Sequence, residues 1–294
     1  MTKSSKTAPE IPPIDLDPGL YVVSTPIGNA RDITLRALDV LRAVDVVLCE
    51  DTRVTARLMS IHGVDAKLAP YHEHNARTVR PGILEKLQAG ACYALVSDAG
   101  TPLVSDPGYR LVADAVQNGI PVFPIPGASS VLAGLTVSGL PSDRFLFVGF
   151  LPPKEAARRS AIAEVDGVAA SLIFLETGPR LAACLADLAA MLGDRQAAVA
   201  RELTKKFEEV RRGSLAELAD HYATSGAPKG EITLVVAPPD KAAAEEQALS
   251  KLDDRLLAAL ETLSVKEAAA QVSAQLGLPK RQVYARALDL KDGR

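Results

Sequence analysis

Tryptophan does not occur in this chain of 294 residues, and its six Phe and six Tyr make up only 4% of it. Any core must therefore be filled by aliphatic side chains and Ala. Apolar residues reach 48%, enough for two ordinary cores. Positive charge is not in excess either: 33 Lys and Arg stand against 36 Asp and Glu, a formal net charge of −3. A protein that grips bare nucleic acid along its backbone usually carries a clear positive surplus. Contact with RNA must then be local, or made with an already folded particle. Cysteine is scarce. Cys49, Cys92 and Cys184 have no paired spacing, and each lies in an apolar strand or helix, which reads as buried thiol rather than disulfide or metal ligand. The N-terminus lacks the apolar core of a secretory signal, and no apolar run approaches membrane-spanning length. The expectation is a soluble, cytoplasmic protein without a membrane partner.

Common fingerprints are missing as well. There is no G-x-G-x-x-G after a strand, no G-x-x-x-x-G-K-[ST] and no G-x-S-x-G elbow. Of the four His, only His72-Glu73-His74 cluster. Two His at i, i+2 could share a strand face, but no third ligand stands nearby, so no metal is expected.

What is present is a regular alternation of short apolar runs with helical ones. Residues 1–18 are Pro-rich and polar and read as a flexible tail. Strands are expected at 20–24, 46–49, 92–96 and 122–125, with helices between them. Asp32 is the expected N-cap of a helix carrying Leu35, Leu38, Leu41 and Val44. Buried strands alternating with helices indicate a mostly parallel sheet covered on both faces. Turn formers at 139–144 mark a boundary, giving an N-terminal α/β domain over 19–140 and a second α/β domain over 141–238. A linker follows at 239–250. Residues 251–294 read as three short helices resembling a helix-turn-helix, with Ser264 and Glu267 as a capping box and Gly277 as a stop.

Three loops rich in Gly, Pro, Ser and Thr each follow a strand: 24–29 (STPIGN), 97–108 (SDAGTPLVSDPG) and 126–130 (PGASS). In an open parallel sheet, ligands bind beyond the carboxyl ends of the strands. Three such loops on one side favour a ligand site over three coincidental tight turns.

These loops resemble those of the tetrapyrrole-methylase-type methyltransferases. The wider set is similar to the branch that methylates the ribose 2′-hydroxyl of a cytidine in small-subunit (16S) ribosomal RNA: STPIGN-x-x-DIT (24–34), CEDTR (49–53), YHEHN (71–75), SDAGTP-x-x-SDPGY (97–109), PGASS (126–130), GLPSDRF-x-x-x-GFLP-x-K (139–154) and RELTK (201–205). The resemblance implies two α/β domains with S-adenosylmethionine in the cleft between them, the helical unit at the end, a homodimer, and no metal. It implies cofactor contacts from Pro26, from Val96, Ser97, Asp98 and Thr101, from Ser129 and Ser130, and from Glu176 and Leu203. One departure is visible: Thr177-Gly178-Pro179-Arg180 stands where the family leads one to expect Ser-Thr-His-Arg.

The chemistry so implied is an in-line displacement at a sulfonium, for which alignment supplies most of the rate. A ribose hydroxyl also benefits from a general base. Glu50, Asp51, Glu202 and Lys205 are the candidates, and Glu50 and Lys205 the preferred ones. Glu50-Asp51 end a buried strand, where desolvation would raise a carboxyl pKa, or where they would simply cap the next helix. Arg53 and Arg201 beside the loops, and Lys280 and Arg281 in the last helix, are expected to hold RNA phosphate. Further basic groups (Arg31 and Arg36; Lys154, Arg158 and Arg159; Lys205 and Lys206; Arg211 and Arg212) extend that path or are solvated faces.

Overall fold

The computed structural model describes residues 14–104, 108–240 and 249–292. Thus 1–13 of the expected tail, 105–107 of the long loop and 241–248 of the expected linker lie outside the described residues. Residues 14–18 are packed: Ile14 and Leu16 lie against the first core, and the Asp17 carbonyl accepts the Tyr21 hydroxyl at 2.8 Å.

Five parallel strands, β1 (Gly19–Val23), β2 (Val46–Cys49), β3 (Leu68–Pro70), β4 (Cys92–Val96) and β5 (Val122–Ile125), form the first sheet in the order β3-β2-β4-β1-β5. Both faces are apolar, so alternate residues serve two cores. Tyr21, Val23, Val47 and Ala94 meet Leu38 and Leu41 of α1 (Leu35–Ala43) and Met59 of α2 (Thr52–Ile61). Leu20, Leu48, Tyr93 and Leu95 meet Ile83 and Leu87 of α3 (Glu73–Gln88) and Leu111 of α4 (Tyr109–Gln117). Crossover helices on both sides are what a parallel sheet requires. The cap of α1 is Thr34, whose hydroxyl accepts the Ala37 N–H, and not Asp32, which ends a short 3-10 turn over Ala30–Asp32. The helix starts two residues later than an Asp32 cap would set it, because Thr34 supplies the cap oxygen; its first residue, Leu35, is 70% exposed and does not join the buried stripe.

The second sheet holds β6 (Phe145–Phe150), β7 (Ser171–Thr177), β8 (Gln196–Arg201), β9 (Glu209–Ser214) and β10 (Glu231–Val236) in the order β6-β7-β10-β8-β9. Only β6 and β7 run parallel. One face packs on α7 (Gly178–Leu192) and α8 (Leu215–Ser225) through Phe174, Val199 and Leu234. The other face is covered by α5 (Ser130–Ser138), a helix from the first half of the chain: Val131 and Leu135 lie on Ile173 and Val235. A Cβ at Gly134 would come within 2.5 Å of Thr233 Cγ2, so a glycine is what lets α5 approach. This helix ties the two sheets together.

Outside α7 lies α6 (Glu155–Ala163). Arg158 is buried there and meets the buried Asp187 carboxylate at 2.6 Å, while Arg159 reaches its other oxygen at 2.7 Å. Arg158 therefore joins two helices and is unavailable to RNA, which corrects its grouping with Lys154 as a solvated basic face. The terminal unit has its own core, Leu252, Leu256, Val272, Leu278 and Val283, shared by α9 (Leu252–Leu260), α10 (Val265–Leu276) and α11 (Lys280–Asp292). Ser264 and Glu267 form the capping box and Gly277, at φ 67°, closes α10. Cys49 and Cys184 are buried and Cys92 is partly exposed; burial pushes the Cys184 thiol up to about 12. No helix among the described residues is long and apolar enough to cross a membrane.

Candidate functional site

The three turn-rich loops meet. Thr25 and Gly100 exchange backbone hydrogen bonds of 2.8 and 3.1 Å across an antiparallel bridge. The Thr25 hydroxyl donates to the Ser97 carbonyl at 3.0 Å, and the Ser24 and Thr101 hydroxyls lie 3.1 Å apart. Thr101 also donates to the Ala128 carbonyl at 3.2 Å. A Cβ on Gly127 would come 2.8 Å from that of Ser24, so only glycine lets the third loop lie this close to the first. Polar side chains are spent here on lacing loops together, which fixes the carboxyl edge of the sheet before any ligand arrives.

Facing this edge, between the two sheets, is a cavity of about 300 Å³. Ile27, Asp98, Ala99 and Ser130 line one side, with Glu176, Leu203 and the start of β10 opposite. Thr101 and Ser129 border an adjoining apolar groove of about 520 Å³, together with Leu132, Phe145 and Phe147. Pro26, Val96 and Ser97 are buried and line neither the cavity nor the groove. The Ser97 hydroxyl is committed to the Ala99 and Gly100 carbonyls.

Asp98 Oδ1 accepts the Asp51 N–H at 3.1 Å, tying the β2 loop to the β4 loop. Glu176 is buried. Its Oε2 accepts the Thr177 N–H at 2.7 Å, while Oε1 lies 3.0 Å from Arg180 Nη2 without the alignment of a hydrogen bond and has no other donor. A buried carboxylate oxygen on a cavity wall, short of one donor, fits a ligand hydroxyl or amine. The departure at 177–180 also has a reason: a Cβ on Gly178 would fall 1.7 Å from the Pro228 carbonyl oxygen, so the turn before β10 can only lie here against glycine.

Leu203 reaches the cavity on a strained loop. Glu202 and Thr204 have φ of 51° and 65°, at about 1–3 kcal/mol each. Hydrogen bonds offset this: Thr204 Oγ1 accepts the Asn29 N–H at 3.0 Å, Glu208 Oε2 accepts the Thr204 N–H at 2.6 Å, and the Glu202 N–H donates to the Glu231 carbonyl at 3.0 Å.

The preferred bases fare differently from expectation. Glu50 is exposed and does not line the cavity, so the desolvation argument for it fails. Asp51 takes the capping role: its carboxylate accepts the Arg53 N–H at 2.8 Å and the Arg53 guanidinium at 2.6 Å. Those bonds hold its carboxyl down to about 2. A depressed carboxyl stabilises the fold above the ordinary value of 3.8 and stops doing so as pH falls through about 2. Carboxyl NMR should therefore place its midpoint near 2, and a midpoint at or above 3.8 would contradict this cap. Lys205 lies 2.9 Å from Glu202 and 3.0 Å from Glu231. Burial alone would lower its pKa, but the two carboxylates outweigh that and raise it, so it is an ammonium at neutral pH and no base. Arg53 is 90% exposed beside the loops, whereas Arg201 is paired with Glu209 at 2.9 Å and with the Lys229 carbonyl at 3.1 Å. Lys280 and Arg281 are exposed on α11, on the face that also shows Tyr284 and Leu288. His72 caps α3 and His74 lies within it, so the pair does not share a strand face, and no group among the described residues could hold a metal ion.

Phe150, Thr177, Gly230, Glu231 and Thr233 also line the cavity, though none was expected there as a site residue. Phe150 arrives at the end of β6, and the others through the pairing of β7 with β10, where Glu231 lies opposite Thr177 and Thr233 opposite Leu175. Only a Gly before an apolar run hints at them.

Residues 19–219 match the family described as Tetrapyrrole (Corrin/Porphyrin) Methylases. The chain belongs to this family. Residues 246–291 of this methylase match the RsmI C-terminal HTH domain. It is similar to proteins named Ribosomal RNA small subunit methyltransferase I. That of Mesorhizobium japonicum is 50% identical over 284 residues, 96% of each chain. That of Erythrobacter litoralis is 52% identical over 94% of this chain and 96% of its own. Among solved structures, the methylase fold is shared with a conserved hypothetical protein from Aeropyrum pernix K1 (TM-score 0.61, 19% identity, 95% and 98% of the two chains). It is also shared with a Thermus thermophilus uroporphyrin-III C-methyltransferase complexed with S-adenyl homocysteine (TM-score 0.52, 20% identity, 74% and 96%).

Proposed function

We propose that this methylase transfers a methyl group from S-adenosylmethionine to the ribose 2′-hydroxyl of a cytidine in small-subunit (16S) ribosomal RNA, in the cytoplasm and as a homodimer. The observation that carries the reading is the likeness of nearly the whole chain, at about half of all positions, to proteins named for methylating that RNA. The cavity's chemistry supports the cofactor. Ile27, Ala200, Leu203 and Ile232 offer an apolar wall for a flat base, and Asp98 and the unmet oxygen of Glu176 offer acceptors for hydroxyl or amino groups. In this reading Ser130, Glu176, Leu203 and Asp98 touch the cofactor with side chains, Thr101 and Ser129 reach it from the adjoining groove, and Pro26, Val96 and Ser97 stay buried outside the lining.

When bound, S-adenosylmethionine supplies a methyl group on a positively charged sulfur. The cleft's apolar walls exclude water and favour the loss of that charge in the transition state. The laced loops hold the acceptor hydroxyl in line, where alignment is worth most. Lys280 and Arg281 are solvent-facing cations suited to phosphate, whereas Arg53 serves only by giving up Asp51 and Arg201 only by giving up Glu209.

Deleting the gene and mapping small-subunit RNA fragments by mass spectrometry should reveal one missing ribose methyl, restored by purified protein and S-adenosylmethionine. An unchanged methylation map sinks the reading, and transfer to a porphyrin-type substrate instead would replace it.

A further inference from the structure

One charged side chain that lines the cavity, Glu231, is held by two others, Lys205 and Glu202, that line neither the cavity nor the groove beside it. Lys205 Nζ bridges Glu202 Oε1 at 2.9 Å and Glu231 Oε2 at 3.0 Å. Glu231 lines the cavity beside Gly230 and Thr233, yet its side chain is 75% exposed. Exposed ion pairs contribute little to stability, so stability does not explain the effort spent on this one. Both residues flanking Leu203 are in the left-handed region. Gly230, at φ +99°, has a backbone conformation that side-chain-bearing residues rarely adopt, and a Cβ there would fall 2.2 Å from Glu202 Oε1 and displace that carboxylate. A Cβ on Gly28 would fall 2.5 Å from Lys205 Cγ, so the first loop lies directly across the lysine stem. Glu202 is locked to the same strand end by its N–H to the Glu231 carbonyl, and its Oε1 accepts the Glu231 N–H at 3.3 Å. Two close-packed glycines and the strained loop that carries Leu203 thus surround one ammonium that holds one exposed carboxylate at the cavity. Strain over-determined by its surroundings gathers at functional sites.

We propose that Glu231 accepts the proton of the attacking hydroxyl, with Lys205, anchored by Glu202, as the positioning residue that holds it there. This rests on the reading that an RNA hydroxyl is the acceptor. In the step, the hydroxyl oxygen bonds to the methyl carbon as the carbon–sulfur bond breaks, its electron pair staying on sulfur. The O–H proton passes to the Glu231 carboxylate and from there to solvent, leaving a methyl ether and a neutral thioether. A carboxylate suffices because an oxygen that has gained a methyl group while keeping its proton is strongly acidic, so a late proton transfer runs downhill. Lys205, held protonated by its two partners, cannot itself take the proton.

The test uses the full-length protein with small ribosomal subunits from the deletion strain. Glu231→Gln should lower the single-turnover rate by ~10²-fold or more. Calorimetric affinity for S-adenosylhomocysteine should stay within about threefold of wild type. Lys205→Met should lower kcat by about tenfold with KM little changed, and Lys205→Arg should recover most of that, since an Arg can still hold the carboxylate. An E231Q rate within about threefold of wild type overturns the assignment, and so does K205R behaving like K205M. If wild type itself places the methyl on a base or nowhere, the functional reading fails and takes this assignment with it. The mass of the modified fragment, ribose against base, separates that failure from a failure of Glu231 alone.

Discussion

Replacing Asp187 by Ala should destabilise the protein by about 3–5 kcal/mol, the usual consequence of removing one partner from a buried ion pair. Asp187 and Arg158 are almost fully enclosed, with side chains 5% and 8% exposed, and the carboxylate is held by Arg158 at 2.6 Å and Arg159 at 2.7 Å. Without it the Arg158 guanidinium keeps one bond, to the Pro153 carbonyl at 3.1 Å, and has no route to water. Arg159 is half exposed, so Arg159→Ala should cost far less than Asp187→Ala. Asp187→Asn should fall between, retaining an acceptor but no charge. Urea unfolding of the three variants reads the order. An Asp187→Ala loss below about 1 kcal/mol would mean that water already reaches this pair.

The second large effect concerns the cavity. Asp98→Ala should weaken binding of S-adenosylmethionine by roughly 10- to 100-fold, the range expected when a hydrogen bond to a charged group is lost. Asp98 has two tasks, lining the cavity and receiving the Asp51 N–H, so Ala removes both. Asp98→Asn separates them: its amide oxygen can still receive Asp51, and the lost charge alone then tests the contact with the ligand. Calorimetry should show both variants weakened and only Asp98→Ala with a lowered melting temperature. Unchanged affinity in both variants would place the cofactor elsewhere.

Features fixed by neighbours a few residues apart could be read from the chain alone. The Ser264–Glu267 capping box, the stop at Gly277, the parallel first sheet and the three turn-rich loops each depend on side chains meeting their own backbone, or on apolar periodicity. The Glu50-Asp51 pair shows where this runs out. Its capping role is local and was legible, but whether Glu50 is desolvated depends on what lies above it, and among the described residues it stands exposed.

Fold class, family and the loops whose Gly and Pro spacing marks the carboxyl edge of the first sheet are thus legible in the order of residues. Tertiary structure alone decided that α5 crosses to the second sheet and that Arg158 is sealed against Asp187. It also decided that Glu231 stands at the cavity opposite Thr177. Those outcomes rest on strand register and helix packing between residues tens of positions apart. Local propensity carries no record of which distant strand a segment will pair with.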